Sequence, residues 1–273
     1  MIQRFNILWL FSFIWFLLSI EEVQSQAIIG AKSAAIGNAT TALYEDQWGL
    51  FSNPASISSE KISVGFFGLR YFGFPEITDV SSVINFPLLN GSSSIGFYSF
   101  GDDLYSETNI NVGYKYSWKG VNAGLSIQYR HLSLGGDYGS GGALSLSIGI
   151  LSKINKSIFI GAKIRNVNRG VYNFEFNDEE LPQDISIGLS YKLEDKSTFY
   201  FDVLKDLRFP VSYRGGVEVE IIDDIVGRLG ATFEPTTYTF GLGYRLKKWQ
   251  INIAVQQHEV LGTSPGFDIL VNL

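Results

Sequence analysis

From residue 61 to residue 273, apolar and polar side chains alternate with a period of two. Val121, Ala123, Leu125, Ile127 and Tyr129 interleave with Asn122, Gly124, Ser126, Gln128 and Arg130. Ile158, Ile160, Ala162 and Ile164 alternate with Phe159, Gly161, Lys163 and Arg165. Tyr238, Phe240, Leu242, Tyr244 and Leu246 alternate with Thr239, Gly241, Gly243 and Arg245. Successive side chains of a strand point to opposite faces, so each segment has one apolar face and one small or charged face. The pattern predicts fourteen strands, over 61–70, 77–87, 92–101, 106–117, 121–132, 141–152, 157–166, 184–193, 197–205, 211–221, 225–234, 237–246, 249–258 and 265–273. Most are about ten residues long, the length a tilted strand needs to cross a bilayer.

Alternation alone also fits a soluble sandwich, so the decision rests on which face could be a core. Gly124, Gly161, Gly188, Gly241 and Gly243 share a face with Arg130, Lys163, Arg165, Lys192 and Arg245. Turned inward in a closed barrel, that face lines a polar lumen and leaves an unbroken apolar exterior. Such an exterior is required in lipid and would be a very large exposed patch in water. The expected fold is therefore all-β: a transmembrane antiparallel barrel of about fourteen strands. Connections after the even-numbered strands are short, as at Lys119-Gly120 and Lys247-Lys248, whereas 133–140 and 167–183 are longer. Short turns face the periplasm in outer-membrane barrels, so 167–183 is expected outside. By the same parity Lys115, Arg130, Lys163, Arg165, Lys192, Arg214, Arg228 and Arg245 point inward, against Asp184, Asp202 and Glu218. This predicts a basic interior, with Glu45 and Asp46 of the preceding segment as available partners.

That preceding segment, 30–57, is the one part of the chain after residue 25 without a strand pattern. Ala31, Ala34, Ala35, Ala39 and Ala42 are small and helix-tolerant, and Pro54 ends any helix. Gly30-Ala31-Lys32-Ser33-Ala34-Ala35-Ile36-Gly37-Asn38-Ala39, then Asp46, Trp48, Gly49 and Asn53-Pro54-Ala55, resemble the N-terminal hatch of the PorV/PorQ family of FadL-like outer-membrane barrels. Ser56 departs from the glycine usual in that pattern. The resemblance implies a fourteen-stranded barrel with a short helical hatch in its lumen, built on Gly30, Gly37, Asp46, Trp48, Asn53, Pro54 and Ala55. It also implies a part in type IX secretion, binding secretion components or cargo. FadL-like barrels otherwise carry small hydrophobic molecules passively, and that is the alternative reading.

Residues 1–25 read as a signal peptide: Arg4, an apolar run over 7–18, then Val23-Gln24-Ser25 before the cleavage point. The run is about a dozen residues, too short for a spanning helix. The expected division is 1–25 signal peptide, 26–58 hatch and 59–273 barrel, resident in the outer membrane of a Gram-negative-type bacterium. The chain has no cysteine, 15% aromatic residues, 29 glycines and a net charge of −6. Disulfides and thiolate metal sites are excluded, and the charge balance does not suit nucleic acid. No cofactor or metal motif is present. His131, Ser133 and Asp137 are close in sequence, but nothing orients them as a triad. His258 is expected to pair with Glu259 at a solvated rim. The protein therefore reads as a non-enzymatic, partner-binding barrel in contact with outer-membrane lipid. Val171, Tyr172, Phe174 and Phe176 are the expected anchors for a partner, having the aromatic character favoured at interfaces. On the two faces of one strand, Ile160→Arg is expected to be costly, and Gly161→Ser mild unless the hatch packs there.

Overall fold

The computed structural model describes residues 27–58, 61–136, 139–174, 178–194 and 196–273. The expected signal peptide lies outside the described residues, as do Asp137 and Phe176. The strands are β1 (Ser63–Arg70), β2 (Thr78–Leu88), β3 (Gly91–Gly101), β4 (Tyr105–Trp118), β5 (Val121–Leu134), β6 (Ser140–Lys153) and β7 (Ile158–Arg165). After two three-residue strands, β8 (Val171–Asn173) and β9 (Asp178–Glu180), come β10 (Asp184–Leu193), β11 (Ser197–Asp206) and β12 (Val211–Ile222). The chain ends with β13 (Ile225–Phe233), β14 (Thr237–Leu246), β15 (Trp249–His258) and β16 (Gly262–Asn272). Each strand expected from the alternation is present within a few residues of its predicted bounds. Among the described residues, only the short strands β8 and β9, inside the long outer connection, lack a sequence counterpart.

The sheet closes on itself. β1 pairs antiparallel with β16 from Ser63↔Asn272 to Leu69↔Gly266, while β5 pairs with β6 and β7 with β10. All fourteen long strands are antiparallel to both neighbours. Closure matters because no sheet edge can be left unpaired in lipid. Tight turns join the hairpins at one end; Lys119 and Gly120 there have φ of 47° and 86°. Positive φ at both central residues gives the turn whose twist matches that of the strands.

Side-chain parity holds around the wall. Ile84, Phe97, Ile110, Ile127, Ile148, Ile187, Leu229, Phe240 and Phe267 are exposed on the outer surface. Outward aromatics lie near both strand ends: Tyr105, Tyr129, Tyr213, Phe233 and Tyr238 at one end, and Trp118, Tyr191, Phe199, Tyr244 and Trp249 at the other. An apolar belt between two aromatic girdles is the surface a barrel presents to a bilayer. The protein is an outer-membrane β-barrel.

Residues 27–58 fill the lumen. They form α1 (Ala31–Ala35), a 3₁₀ turn over Pro54–Ser56, and a single parallel bridge between Asp46 and Ile57. Ala31, Ala34, Ala35, Trp48 and Ile57 are fully or almost fully buried, packed with Phe67, Val83, Tyr98 and Leu270 of the wall. The segment extends to the outer mouth, where Ala27 and Ile28 pack near Tyr71 and Phe100. An isolated five-residue helix is not stable in water, so its conformation is imposed by the surrounding barrel.

Candidate functional site

The contact between this inner segment and the wall explains the glycines on the lumen face. A Cβ on Gly124 would lie 2.2 Å from both the Pro54 carbonyl carbon and the Ala55 nitrogen. One on Gly161 would lie 2.1 Å from the Thr41 carbonyl oxygen, and one on Gly230 2.3 Å from the Gly37 nitrogen. The missing side chains are the space that the hatch backbone occupies. The hatch packs against Gly161, which is the exception under which Gly161→Ser is not expected to be mild.

Wall side chains tie down the hatch backbone. Asp268 of β16 accepts from the Ala31 N–H at 2.7 Å, from Trp48 Nε1 at 3.2 Å and from Asn252 Nδ2 at 2.6 Å. Asp202 accepts from the Thr41 N–H at 2.8 Å. Thr239 Oγ1 accepts from the Gly37 N–H and donates to the Ala35 carbonyl. Among the hatch residues named from sequence, Asn53 bonds three ways: Nδ2 donates to the Thr41 carbonyl, weakly to Ile150 O, and Oδ1 accepts from the Ala55 N–H. Gly30 has φ of 96° and lies against the Trp48 ring, where a Cβ would clash at 2.6 Å. Gly37 also has positive φ, 64°. The Asp46 carboxylate accepts from the Trp48 N–H and from Ser52 Oγ. Burial raises its pKa above the ordinary carboxylate value, with Lys32 pulling it back.

The lumen charges are matched within the barrel. Glu218 joins Arg228 at 2.7 Å, Lys32 at 3.3 Å and Arg245 at 3.6 Å. Lys115 pairs with Glu45 at 2.6 Å, Arg165 with Asp184, and Arg130 with Glu107 at 3.6 Å. Lys163 Nζ donates to the Ser52 carbonyl at 2.8 Å. Arg214 is buried under the fields of Asp202 and Asp184. Lys192 lines a polar cavity at the end with the tight turns. The expected basic interior is corrected by acids omitted from the parity count: Asp79 and Asp268 are fully buried, Asp206 nearly so, and Glu107 faces Arg130. A buried cation without a partner is costly, so pairing is the physically required outcome.

The long outer connection is stitched to the barrel. Asn168 accepts from the Leu146 N–H and donates to the Leu144 carbonyl, standing in for a strand neighbour along the outer part of β6. Tyr172 is buried with Leu132, Ala143 and Leu181, and Phe174 packs against that cluster. Val171 is half-buried. Tyr172 and Phe174 are thus occupied in rim packing, unlike the exposed anchors expected from sequence. His131 faces outward. His258 departs from the expected pairing with Glu259: its Nδ1 accepts from the backbone N–H groups of Val260 and Leu261, both at 3.2 Å.

At the outer mouth lies a cavity of about 220 Å³. Its walls include Tyr71, Phe72 and Phe100, with Tyr71 edge-on to Phe100 at 6.2 Å and Phe72 edge-on to His258 at 6.0 Å. Ala27 and Ile28 of the hatch contribute to its lining. Its polar groups converge: the Tyr71 and Tyr98 hydroxyls each donate to Asp79 at 2.8 Å, one to each carboxylate oxygen. Burial and the neighbouring Asp79 hold the Tyr71 phenol proton well above its ordinary pKa. Sequence reading missed this site because its residues come from the β1–β2 loop, β2, β3, β14, β15 and the hatch. Only closure of the barrel brings them together.

These features define a closed outer-membrane barrel with a filled lumen and an aromatic cavity at its outer end. Its fold is similar to that of several solved structures. The crystal structure of the Pseudomonas putida toluene transporter TodX matches at a TM-score of 0.66 and 12% identity, over 91% of this chain and 98% of that one. The CymD monoaromatic hydrocarbon channel matches at 0.66 and 10%, over 90% and 97%. A Pseudomonas aeruginosa FadL homologue matches at 0.62 and 9%, over 90% and 98%. No protein-family model and no curated protein sequence matches the chain. The likeness is one of fold: a closed, fourteen-stranded antiparallel barrel, as in these three structures.

Proposed function

We propose that this protein is a non-enzymatic, passive outer-membrane channel for small hydrophobic molecules, which it captures in the aromatic cavity at its outer mouth. The observation that carries this reading is the cavity itself. Apolar and aromatic side chains with a few convergent polar groups are the usual composition of a ligand site. A volume of about 220 Å³ suits a single-ring compound, since an engineered apolar cavity of about 150 Å³ accommodates benzene. TodX, a toluene transporter, and CymD, a monoaromatic hydrocarbon channel, support the same ligand class by analogy of fold. On this reading residues 26–58 are the hatch that gates the barrel of 59–273, after export directed by residues 1–25.

The type IX secretion role implied by the PorV/PorQ resemblance gains no support from these similarities. The packing of Tyr172 and Phe174 also removes two of its proposed anchors. It is set aside in favour of passive transport. The test is uptake of labelled toluene by cells with an intact lipopolysaccharide leaflet that lack FadL-like channels. Expression of the protein should raise the initial rate. Thr237→Trp, which fills the cavity from its wall, should return the rate to that of cells without the protein while the barrel still folds. Equal rates with and without the wild-type protein would refute the reading.

A further inference from the structure

The lipid-facing wall is not an even apolar surface. A groove of about 540 Å³ crosses the outer face of β12 to β15. Its floor lies at Gly227, which parity turns outward and which leaves a gap in the row of large side chains. Ile221, Leu229, Phe240, Leu242 and Ile253 stand around it, all exposed on the outer surface. Arg228, also at the floor, sends its guanidinium the other way, to Glu218 in the lumen. In a bilayer such a groove takes up a lipid chain, because an empty one would forfeit the dispersion contacts its lining offers. Gly227 pairs with Leu242 of β14, and that strand runs on to the tight turn at Lys247-Lys248. Both lysines are exposed, beside the outward Trp249, and neither makes an ion pair with a described residue. The stretch from Leu242 to Lys247 spans about 17 Å, comparable with the roughly 15 Å depth of one leaflet's hydrocarbon.

We propose that this groove and the Lys247-Lys248 turn form a binding site for one anionic phospholipid of the periplasmic leaflet, with its phosphate at the lysines and one acyl chain in the groove. The inference goes beyond the transport reading and needs only the barrel in its bilayer. The occupant follows from position and charge. Short turns face the periplasm, so the lipid beside this end of the barrel is phospholipid. Lipid tails are as apolar as the side chains they meet, so burial alone discriminates little. The chain fixes the position by filling the groove, and the headgroup charge sets the preference. Asp223 and Asp224 face the site from the β12–β13 turn and offset part of the attraction. A basic residue near a membrane surface favours anionic lipid by about fivefold, so two give a preference of about five- to thirtyfold against those acids.

The test is native mass spectrometry of the purified protein, released from a non-ionic detergent, with phosphatidylglycerol or phosphatidylethanolamine of matched chain length added. The first lipid adduct is expected at a phosphatidylglycerol concentration about five- to thirtyfold below that needed for phosphatidylethanolamine. Lys247→Gln with Lys248→Gln should bring that ratio towards one, and Asp223→Asn with Asp224→Asn should raise it. Lys119→Gln with Lys156→Gln, on two other turns at the same end, should leave it unchanged. Gly227→Leu fills the groove and should weaken the adducts of both lipids. Its new Cβ first meets the end of the Ile221 side chain, 2.8 Å from Cδ1, which can turn aside without disturbing the strands. Equal binding of the two lipids by the wild type, an equal loss of preference in the two lysine pairs, or unchanged adducts in Gly227→Leu would each overturn the site. A protein dimer in place of lipid adducts, lost in Gly227→Leu, would assign the groove to a second copy of the chain and overturn it as well.

Discussion

A methyl group at position 161 tests how firmly the hatch is seated. Gly161 faces the lumen from β7, and the Cβ of Gly161→Ala would lie 2.1 Å from the Thr41 carbonyl oxygen and 2.8 Å from its carbon. Both are backbone atoms, so no side-chain rotation relieves the clash. Thr41 must retreat by about 1 Å to reach ordinary contact. It is held in place from three directions. Its N–H donates to Asp202 at 2.8 Å, its hydroxyl to Ser186 at 2.9 Å, and its carbonyl accepts from Asn53 Nδ2 at 2.7 Å. Losing the charge-assisted bond and one or both neutral ones costs about 2–4 kcal/mol, in line with the roughly 1–3 kcal/mol of ordinary overpacking. The loss falls on the hatch, because the β7 ladder to β6 and β10 uses backbone groups that the methyl does not touch. The expected result is a protein that still forms a heat-modifiable barrel, unfolds in urea at a lower midpoint, and conducts ions more readily in planar bilayers. An unchanged midpoint together with wild-type conductance would refute the idea that close contact at Gly161 seats the hatch.

Ile160→Arg, one residue away but facing lipid, should cost roughly 2–4 kcal/mol at the bilayer midplane, read as poor assembly into membranes with no gain in conductance. Asp268→Ala removes the acceptor for the Ala31 N–H, Trp48 Nε1 and Asn252 Nδ2, and should loosen the hatch by about 3 kcal/mol or more. A red shift of Trp48 emission relative to wild type checks it. Tyr172→Ala with Phe174→Ala should lower thermal stability by opening the cluster with Leu132, Ala143 and Leu181; unchanged stability would return those rings to the status of free anchors. Export should leave a mature protein starting at or near Gln26, and mass spectrometry that finds Met1 intact on the membrane-resident form would refute the signal-peptide reading.

Much of the wall was readable from the chain because strand geometry is local. A period of two over about ten residues states which side chains share a face, and polar glycine-rich faces opposite apolar ones leave only a lipid-facing barrel as the economical solution. The tight turns were visible for the same reason, as short polar connections such as Lys119-Gly120. Parity also sent Lys115, Lys163, Arg214 and Arg228 inward, where they are now seen. It could not say what they meet. Glu218 answers Arg228 across adjacent strands, but another of its partners, Lys32, comes from the hatch nearly two hundred residues earlier. The reading of Tyr172 and Phe174 as exposed anchors failed because aromatic composition is the same for a docking surface and for a rim cluster. Only the position of Leu132, Ala143 and Leu181 distinguishes them. Asp79, Tyr98 and His258 carried no motif because they reach one cavity from three separate strands. Gly124 and Gly161 looked like small lumen-facing residues until the hatch backbone occupied the space beside them. What the chain determined alone was the periodic, local part of the fold: strands, faces and turns. What tertiary structure decided was every contact made by closure and by the hatch, because those depend on distances between segments that sequence spacing does not encode.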